Sequence, residues 1–115
     1  MKNWERDLYI YQIHPVPPKK DDLQEYIDLY IDEKDDKYLM WFLHYYEPVL
    51  NSTAKEAVER YSMKGHFADI KQACVTGIFK ALQSYDKDTH GSFITYKVRI
   101  IWNEIHEYIR QMRTG

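Results

Sequence analysis

The sequence predicts an all-α fold, an orthogonal bundle of about five helices. Glycine and proline are scarce, with four of each among 115 residues, and three of the prolines fall in one short stretch, so most of the chain lacks the strongest helix breakers. Apolar residues recur at helical spacing in segment after segment. The apolar content of 44% and the aromatic content of 16% are too high for a disordered chain, so the predicted helices have material for a packed core.

Two helices are predicted in the N-terminal third. Asn3 suits the cap of a first helix that runs to about Ile13. The proline-rich segment 14–18 ends it, because proline lacks the backbone donor and pushes the preceding residue out of the helical region. A second helix begins at Asp21 or Asp22. Its apolar stripe consists of Leu23, Tyr26, Ile27, Tyr30 and Ile31, and its opposite face is acidic.

Residues 37–62 are predicted to form a long helix after a break around residues 34–36. This helix is interrupted near Pro48, where we expect a kink because the ring removes a backbone hydrogen bond to the preceding turn. A loop at residues 64–66 separates it from a helix over residues 67–84.

The two C-terminal helices are predicted to pack closely. Small residues at Ala73, Gly77 and Ala81 let a neighbouring helix approach the helix over residues 67–84. After a polar turn at residues 86–91, Ser92 suits the cap of a last helix that runs to about Arg113. The apolar side of this helix consists of Phe93, Tyr96, Ile100, Ile101, Ile105, Tyr108, Ile109 and Met112.

Charge is sorted along the chain although its net value is only −2. Residues 21–36 contain eight acidic side chains and one lysine, whereas from residue 96 onward basic groups predominate over Glu104 and Glu107. These basic groups are Lys97, Arg99, His106, Arg110 and Arg113. The chain therefore has no overall basic field, and a nucleic-acid site is expected on the last helix.

The residue types exclude several classes of site. The single Cys74 cannot form an intrachain disulfide or a cysteine-based zinc site, and its neighbours predict a small buried thiol. The five histidines include no pair at helical-turn spacing, and no nucleotide-binding or metalloprotease motif occurs. Glu104 and Glu107 share a helical face but lack a histidine partner. We therefore expect no enzyme activity, cofactor or metal. No stretch is apolar enough for a membrane span or signal peptide, so a cytoplasmic location is expected.

Five short motifs follow one another along the chain. Residues 42–50 are F-L-H-Y-Y-E-P-V-L, residues 69–81 are D-I-K-Q-A-C-V-T-G-I-F-K-A, residues 85–86 are Y-D, residues 91–96 are G-S-F-I-T-Y, and Asn103, Glu107 and Arg110 follow. In this order and spacing they resemble the region 2 domain of the sigma-70 family of bacterial transcription initiation factors. The family patterns are L-x-x-Y-x-P-L-V, D-L-x-Q-E-x-x-x-G-L-x-x-A, F-D, G-x-x-F-S-T-Y and, in extracytoplasmic-type members, N-x-x-x-D-x-x-R.

The resemblance implies a polymerase-docking helix at residues 69–81. Its partner would be the coiled-coil clamp helices of the largest subunit of RNA polymerase. The implied docking residues are Asp69, Gln72, Val75, Thr76 and Phe79. From the residues alone, Asp69 and Gln72 lie one turn apart, where they suit pairing with arginine or amide groups of a partner. The alternative is that Asp69 merely favours the dipole of the first helical turn.

For the last helix, the resemblance implies recognition and melting of the promoter −10 element through the single-stranded non-template strand. Holding unpaired bases requires flat side chains for stacking and cations along the backbone. The implied phosphate contacts are Lys97, Arg110 and Arg113, and the implied base-facing residues are Arg99, Trp102, Asn103 and His106. Tyr96 is a further implied DNA-binding residue. Core packing is the alternative for Tyr96 and Phe93, and for Trp102 both roles stay open. Arg99, Trp102 and Asn103 must lie outside the core for this prediction to hold.

Departures from the family define an alternative function. Many housekeeping members have two adjacent tryptophans where this chain has Arg99 and Ile100, and Ala73 replaces the acid after the docking glutamine. The alternative is a sigma-like interaction module that binds polymerase or a regulator without opening DNA. An unrelated helical scaffold is a second alternative. An anti-sigma regulator is a further expected partner.

The predicted domain organisation is an acidic helical N-terminal extension at residues 1–40 and a sigma region 2-like domain at residues 41–115. Three roles stay open for the acidic helix of the extension: a solvated face, a cover for the basic end of the last helix, or an additional promoter-binding element.

Overall fold

A computed structural model describes residues 19–114, which form five α-helices and no strand. The helices are α1 (Gln24–Glu33), α2 (Asp36–Arg60), α3 (Phe67–Ser84), α4 (Lys87–His90) and α5 (Phe93–Thr114). The all-α prediction is confirmed. The helix predicted from Asn3 to Ile13 lies outside the described residues. Within the described part of the chain, no helix is long and apolar enough to cross a membrane.

Aspartates mark the starts of the first two helices. The backbone N–H of Gln24 donates to Asp22 Oδ1 at 2.9 Å, so α1 begins two residues after this predicted start. Lys34 ends α1 in the left-handed conformation, with φ of 57°. Asp35 then accepts a hydrogen bond from the Lys37 backbone N–H at 3.0 Å and opens the next helix. The break predicted around residues 34–36 is confirmed.

α2 runs through Pro48 as one helix, so the interruption predicted there is wrong, while the expected kink stays a prediction. A proline inside a helix removes one backbone hydrogen bond, but the apolar stripe continues in helical register on both sides of it. The buried members of the stripe are Leu39, Phe42, Leu43, Tyr46, Leu50, Ala54 and Ala57. Packing along this stripe can hold the helix through one missing bond.

The chain divides into two compact units at the junction of Glu47 and Pro48, inside α2. In the described part of the first unit, the core combines aliphatic side chains with a cluster of aromatic rings. The buried Tyr26 ring lies 5.9 Å from the Trp41 ring in an edge arrangement and 6.2 Å from the Tyr45 ring in a stacked one. Such offset and edge pairs are the favoured geometries for aromatic rings.

The second unit is built on the antiparallel pair of α3 and α5. The direction follows from contacts of Asp69 with Tyr108 and of Ser84 with Tyr96, near opposite ends of the two helices. At the crossing, a Cβ added to Gly77 would lie 2.7 Å from Ile101 Cα. The prediction that small residues allow a close approach is confirmed at Gly77, because any side chain there would collide with the backbone of α5.

The predicted polar turn at residues 86–91 contains a short helix, α4. Asp86 caps it by accepting hydrogen bonds from the Asp88 backbone N–H at 3.0 Å and the Thr89 hydroxyl at 3.3 Å. Gly91 ends it with φ of 71°, a conformation that glycine adopts without steric cost.

One side of α5 is buried at intervals of four residues. Its members are Phe93, Lys97, Ile101, Ile105 and Ile109. Met112 lies on the predicted face, seven residues past Ile105, but is 49% exposed. It belongs to the last turn of α5, past Tyr108, which contacts α3 at its first turn through Asp69, so α3 does not extend far enough to cover it. Cys74 on α3 is buried, as predicted, and burial raises the pKa of its thiol to about 11.

Candidate functional site

α5 presents two exposed faces of different chemistry, on either side of its buried stripe. One, the cationic face, consists of Arg99, Asn103, His106, Arg110 and Arg113, all of which are exposed. The other carries Glu104, Glu107 and Gln111. Residues 99–113 of one helix therefore present two surfaces of different charge.

A cleft of about 300 Å³ lies at the C-terminal end of the cationic face. Its lining residues are Tyr61, His106, Ile109, Arg110 and Arg113. The Tyr61 hydroxyl is hydrogen-bonded to His106 Nε2 at 2.9 Å, and Arg113 Nη2 donates to the Tyr61 carbonyl at 2.7 Å. This cationic cleft therefore combines aromatic rings with guanidinium groups that protein contacts hold in place.

Trp102 lies half-buried beside the cationic cleft. The Arg60 guanidinium lies over its ring at 5.0 Å, and its ring lies 5.8 Å from the His106 ring. Arg60 also forms an ion pair with Glu56 at 2.6 Å. Arg99 and Asn103 are exposed and Trp102 is half-buried, so the condition that these three residues lie outside the core is met.

Sequence reasoning missed Arg60 and Tyr61 as members of this surface. They lie at the end of α2 and just after it, far in sequence from α5. The signal that could have found them is the adjacent pair of a cation and an aromatic ring at the end of a predicted helix. What the sequence does not contain is the pairing of that helix end with residues 102–113, which arises only from tertiary packing.

Arg110 is partly neutralised within α5. Its Nε and Nη2 atoms donate to the Glu107 carboxylate at 3.0 and 2.5 Å. These hydrogen bonds raise the pKa of Arg110 and lower the pKa of Glu107, because each stabilises the charged form of its partner. Arg113 donates to a neutral carbonyl instead, so its charge is left without a counterion in that contact.

Lys97 lies in the core and corrects one prediction. Its side chain is 2% exposed, and burial lowers its pKa to about 8 because desolvation disfavours the charged amine. A residue so placed cannot reach a DNA phosphate, so the predicted phosphate contact at Lys97 is withdrawn. The error has a simple cause, since Lys97 lies midway in register between the buried Phe93 and Ile101.

Tyr96 lies at the opposite end of α5 from the cationic cleft. Its ring stacks on His90 with centroids 4.2 Å apart, and its hydroxyl is hydrogen-bonded to Ser84 at 2.7 Å. Phe93 is fully buried, as the core-packing alternative predicts. The structure therefore does not bring Tyr96 together with Arg110 and Arg113.

A polar groove of about 440 Å³ runs between α3 and α5. Its lining residues are Asp69, Gln72, Ala73, Thr76 and Lys80 from α3, and Glu104, Glu107, Tyr108 and Gln111 from α5. The structure thus brings together three of the predicted docking residues, Asp69, Gln72 and Thr76. The other two, Val75 and Phe79, are half-buried and do not line the groove.

Hydrogen bonds and an ion pair tie the two sides of the polar groove together. The Tyr108 hydroxyl donates to Asp69 Oδ2 at 3.1 Å and is also hydrogen-bonded to His66 Nδ1 at 2.7 Å. Desolvation of the Tyr108 hydroxyl is the largest cause of its raised pKa. The hydrogen bond to Asp69 and the negative charge of Asp69 raise this pKa further. Further along, Lys80 Nζ lies 2.6 Å from Glu104 Oε1. Sequence reasoning had assigned Tyr108 only to the apolar side of α5.

Within the described residues, no cluster of three or more histidine, cysteine, aspartate or glutamate side chains is suited to a metal ion. Glu104 and Glu107, the pair considered from sequence, are instead bonded to basic groups on α3 and α5.

A comparison with known protein families finds a match for most of the described residues. The family model of sigma-70 region 2 matches residues 43–114, well over half of the chain. No curated protein and no solved structure gives a significant match. Sigma-70 region 2 implies a sigma-factor-like role in RNA polymerase binding and promoter recognition, the role of a transcription factor rather than an enzyme. The chain therefore belongs to the sigma-70 region 2 family.

Proposed function

We propose that this chain docks on core RNA polymerase through the polar groove and holds the non-template strand of the promoter −10 element through the cationic face of α5. The observation that carries the proposal is the meeting of two aromatic side chains, Trp102 and Tyr61, with His106 and Arg113 at one surface of a sigma region 2 domain.

The chemistry of this surface suits an unpaired strand. Exposing a base costs a few kcal/mol of lost stacking and pairing, and stacking on a protein ring returns about 1–3 kcal/mol per base. Trp102 and Tyr61 offer such rings, and Arg113 offers a cation for the backbone between them. Asn103 and Arg99, exposed about one and two turns before His106, extend the same face along the strand.

The chemistry of the polar groove suits a protein partner. Asp69 and Gln72 are exposed in the first turns of α3 and present a carboxylate and an amide to the outside. A partner arginine or amide group can pair with both, and such charge-assisted bonds are the stronger class of hydrogen bond. The clamp helices of the largest polymerase subunit are the proposed partner.

Binding of single-stranded DNA tests the α5 surface. A fluorescein-labelled pool of short single-stranded oligonucleotides of random sequence is titrated with the protein at several salt concentrations. Arg113→Gln is expected to lower the slope of log affinity against log salt by about 0.7, because one phosphate contact is lost. Lys87→Gln on α4 is the matched control and should leave the slope unchanged. Salt-independent binding, or equal slopes for both variants, contradicts the proposal.

Promoter opening tests the whole proposal. The protein is mixed with core RNA polymerase and promoter DNA selected from the source genome, and unpaired thymines are detected by permanganate. We expect reactive thymines on the non-template strand, and their loss with Asp69→Ala together with Gln72→Ala. Complex formation without reactive thymines contradicts strand opening.

That last outcome would favour the second candidate, a sigma-like module that binds polymerase without opening DNA. Two observations favour this candidate. Arg99 and Ile100 occupy the positions where many housekeeping members have two tryptophans. In addition, the Arg60 guanidinium covers one side of the Trp102 ring and must move before a base can stack there.

A further inference from the structure

Two tyrosine–histidine hydrogen bonds connect the segment between α2 and α3 to α5. In one the segment contributes the tyrosine, and in the other it contributes the histidine. Tyr61 bonds to His106 at 2.9 Å, and His66 bonds to Tyr108 at 2.7 Å. The first pair lies in the cationic cleft and the second at the polar groove. The segment itself turns sharply, with φ of 55° at Ser62. The two pairs therefore fix the same short segment to the two exposed faces of α5.

The second pair is directed at a carboxylate. The Tyr108 hydroxyl has one proton, and this proton is donated to Asp69 Oδ2 at 3.1 Å. His66 Nδ1 must then be the donor in the 2.7 Å bond to the Tyr108 oxygen. Two donors in series thus point towards Asp69, and hydrogen bonds in series polarise and strengthen one another.

These hydrogen bonds fix one carboxylate oxygen of Asp69, Oδ2, and leave the other, Oδ1, available to a binding partner. Asp69 is exposed at the third position of α3, where an unsupported aspartate side chain is free to rotate. Within the described part of the chain, Oδ1 accepts no hydrogen bond. A carboxylate held through Oδ2 therefore presents Oδ1 in one orientation, and a binding group oriented in advance loses less entropy on association.

We propose that Tyr108 and His66 are positioning residues for polymerase docking, which hold Asp69 so that its Oδ1 atom meets an arginine or amide donor of the polymerase. α5 then contributes to polymerase binding through one face and to DNA binding through the other. The inference rests on the proposed function, in which Asp69 contacts polymerase.

Other contacts already hold α3 against α5. At Gly77 the two helices approach so closely that an added Cβ would lie 2.7 Å from Ile101 Cα, and Lys80 pairs with Glu104 further along the groove. Tyr108→Phe keeps the ring and removes only the hydroxyl, so it can interrupt the donor chain while these contacts remain. A purely structural hydroxyl would instead affect folding and both surfaces alike.

The test measures the affinity of labelled full-length protein for core RNA polymerase. Tyr108→Phe is expected to weaken binding about fivefold to tenfold, the usual effect of one hydrogen bond at a binding group. Its matched control is Tyr38→Phe, which removes a tyrosine hydroxyl bonded to another carboxylate, that of Glu33, outside both proposed surfaces, and should leave polymerase affinity within about twofold. Thermal unfolding of each variant verifies that it is folded.

A double-mutant cycle separates positioning from structural support. If Tyr108 acts through Asp69, Tyr108→Phe has less than about a twofold effect on polymerase binding in an Asp69→Asn background. Equal losses with Asp69 and with Asn overturn the inference. Weakening by Asp69→Asn together with no effect of Tyr108→Phe also overturns it, and leaves the proposed function standing. No effect of Asp69→Asn contradicts the docking role in the proposed function itself, and the inference fails with it.

Discussion

The two exposed faces of α5 hold their charges in different ways. In the polar groove, Glu104 pairs with Lys80 at 2.6 Å and Asp69 accepts the Tyr108 hydroxyl. On the cationic face, Arg113 is held by the neutral Tyr61 carbonyl, which fixes its position and leaves its charge intact. The groove is therefore suited to short-range, directional bonds, and the cationic face to attracting a charged strand over a longer range.

Both faces depend on the crossing of α3 and α5, so the largest expected effect comes from breaking it. A Cβ at Gly77 would lie 2.7 Å from Ile101 Cα, and the isopropyl group of Gly77→Val cannot be placed without separating the helices. We expect a loss of about 3 kcal/mol in the free energy of unfolding, measured by urea denaturation. Binding to polymerase and to single-stranded DNA should decline together.

The matched control is Gln83→Val, which places the same β-branched side chain at an exposed position of α3. It should change the unfolding free energy by no more than about 0.5 kcal/mol. If Gly77→Val were equally mild, the close crossing would not be what holds the two faces together.

A second prediction concerns Lys97, which lies on the buried side of α5 and belongs to neither exposed face. Burial lowers its pKa from 10.5 to about 8, so the folded state disfavours its charged form. This cost is complete below pH 8, decreases as the pH rises from 8 to 10.5, and is absent above 10.5. Relative to Lys97→Met, the wild-type chain should therefore gain roughly 2–3 kcal/mol of stability across that interval.

The comparison of the two variants is needed because other groups titrate in the same interval. Burial raises the pKa of Cys74 to about 11 and that of Tyr46 to about 12, so each reduces stability as the pH rises past the value of its unfolded form. Both groups are present in wild type and in Lys97→Met, and their effects cancel in the difference. A difference that does not vary with pH would show that Lys97 is solvated.

Lys97 also illustrates what could be predicted from the sequence. The helices, the breaks between most of them and the close approach at Gly77 follow from spacing and residue size, which are local properties. Lys97 was assigned by residue type, as a cation near other cations. Its spacing of four residues from both Phe93 and Ile101 would have predicted its burial. The position of a residue around the helix therefore predicts burial here better than its charge does.

The parts of the site that were missed depend on tertiary packing. That Asp69, Gln72 and Thr76 share one surface could be predicted, because they lie on one helical face. Their docking role stays a prediction. The places of Tyr61 and Tyr108 in the site could not be predicted, because they arise from hydrogen bonds to residues 45 and 39 positions away. No pattern within a single helix contains such a pairing.

A third prediction compares the two faces by their response to salt. If the cationic face makes about three net phosphate contacts, a fourfold rise in salt concentration should weaken single-stranded DNA binding roughly twentyfold. Polymerase binding through the polar groove should weaken by no more than about threefold, because Asp69 is the groove acid proposed to meet a cation of the partner, whereas Glu104 and Glu107 are already paired with cations. Anisotropy titrations with labelled oligonucleotide and with core polymerase measure the two responses. Equal salt dependence would contradict the distinction between the faces.

The smallest expected effect comes from removing a charge in the polar groove, and it tests the same difference in salt dependence between the two faces. Lys80→Gln removes the cation that neutralises Glu104 in an exposed ion pair, so the free energy of unfolding should fall by less than about 1 kcal/mol. Glu104 is then left as an unpaired acid in the groove, and polymerase binding should become more dependent on salt while DNA binding keeps its original slope. Arg60→Gln is the matched control, since it removes a cation from an ion pair with Glu56 beside the other face. If Lys80→Gln left the salt dependence of polymerase binding unchanged, pairing within the groove would not be what sets its short-range character.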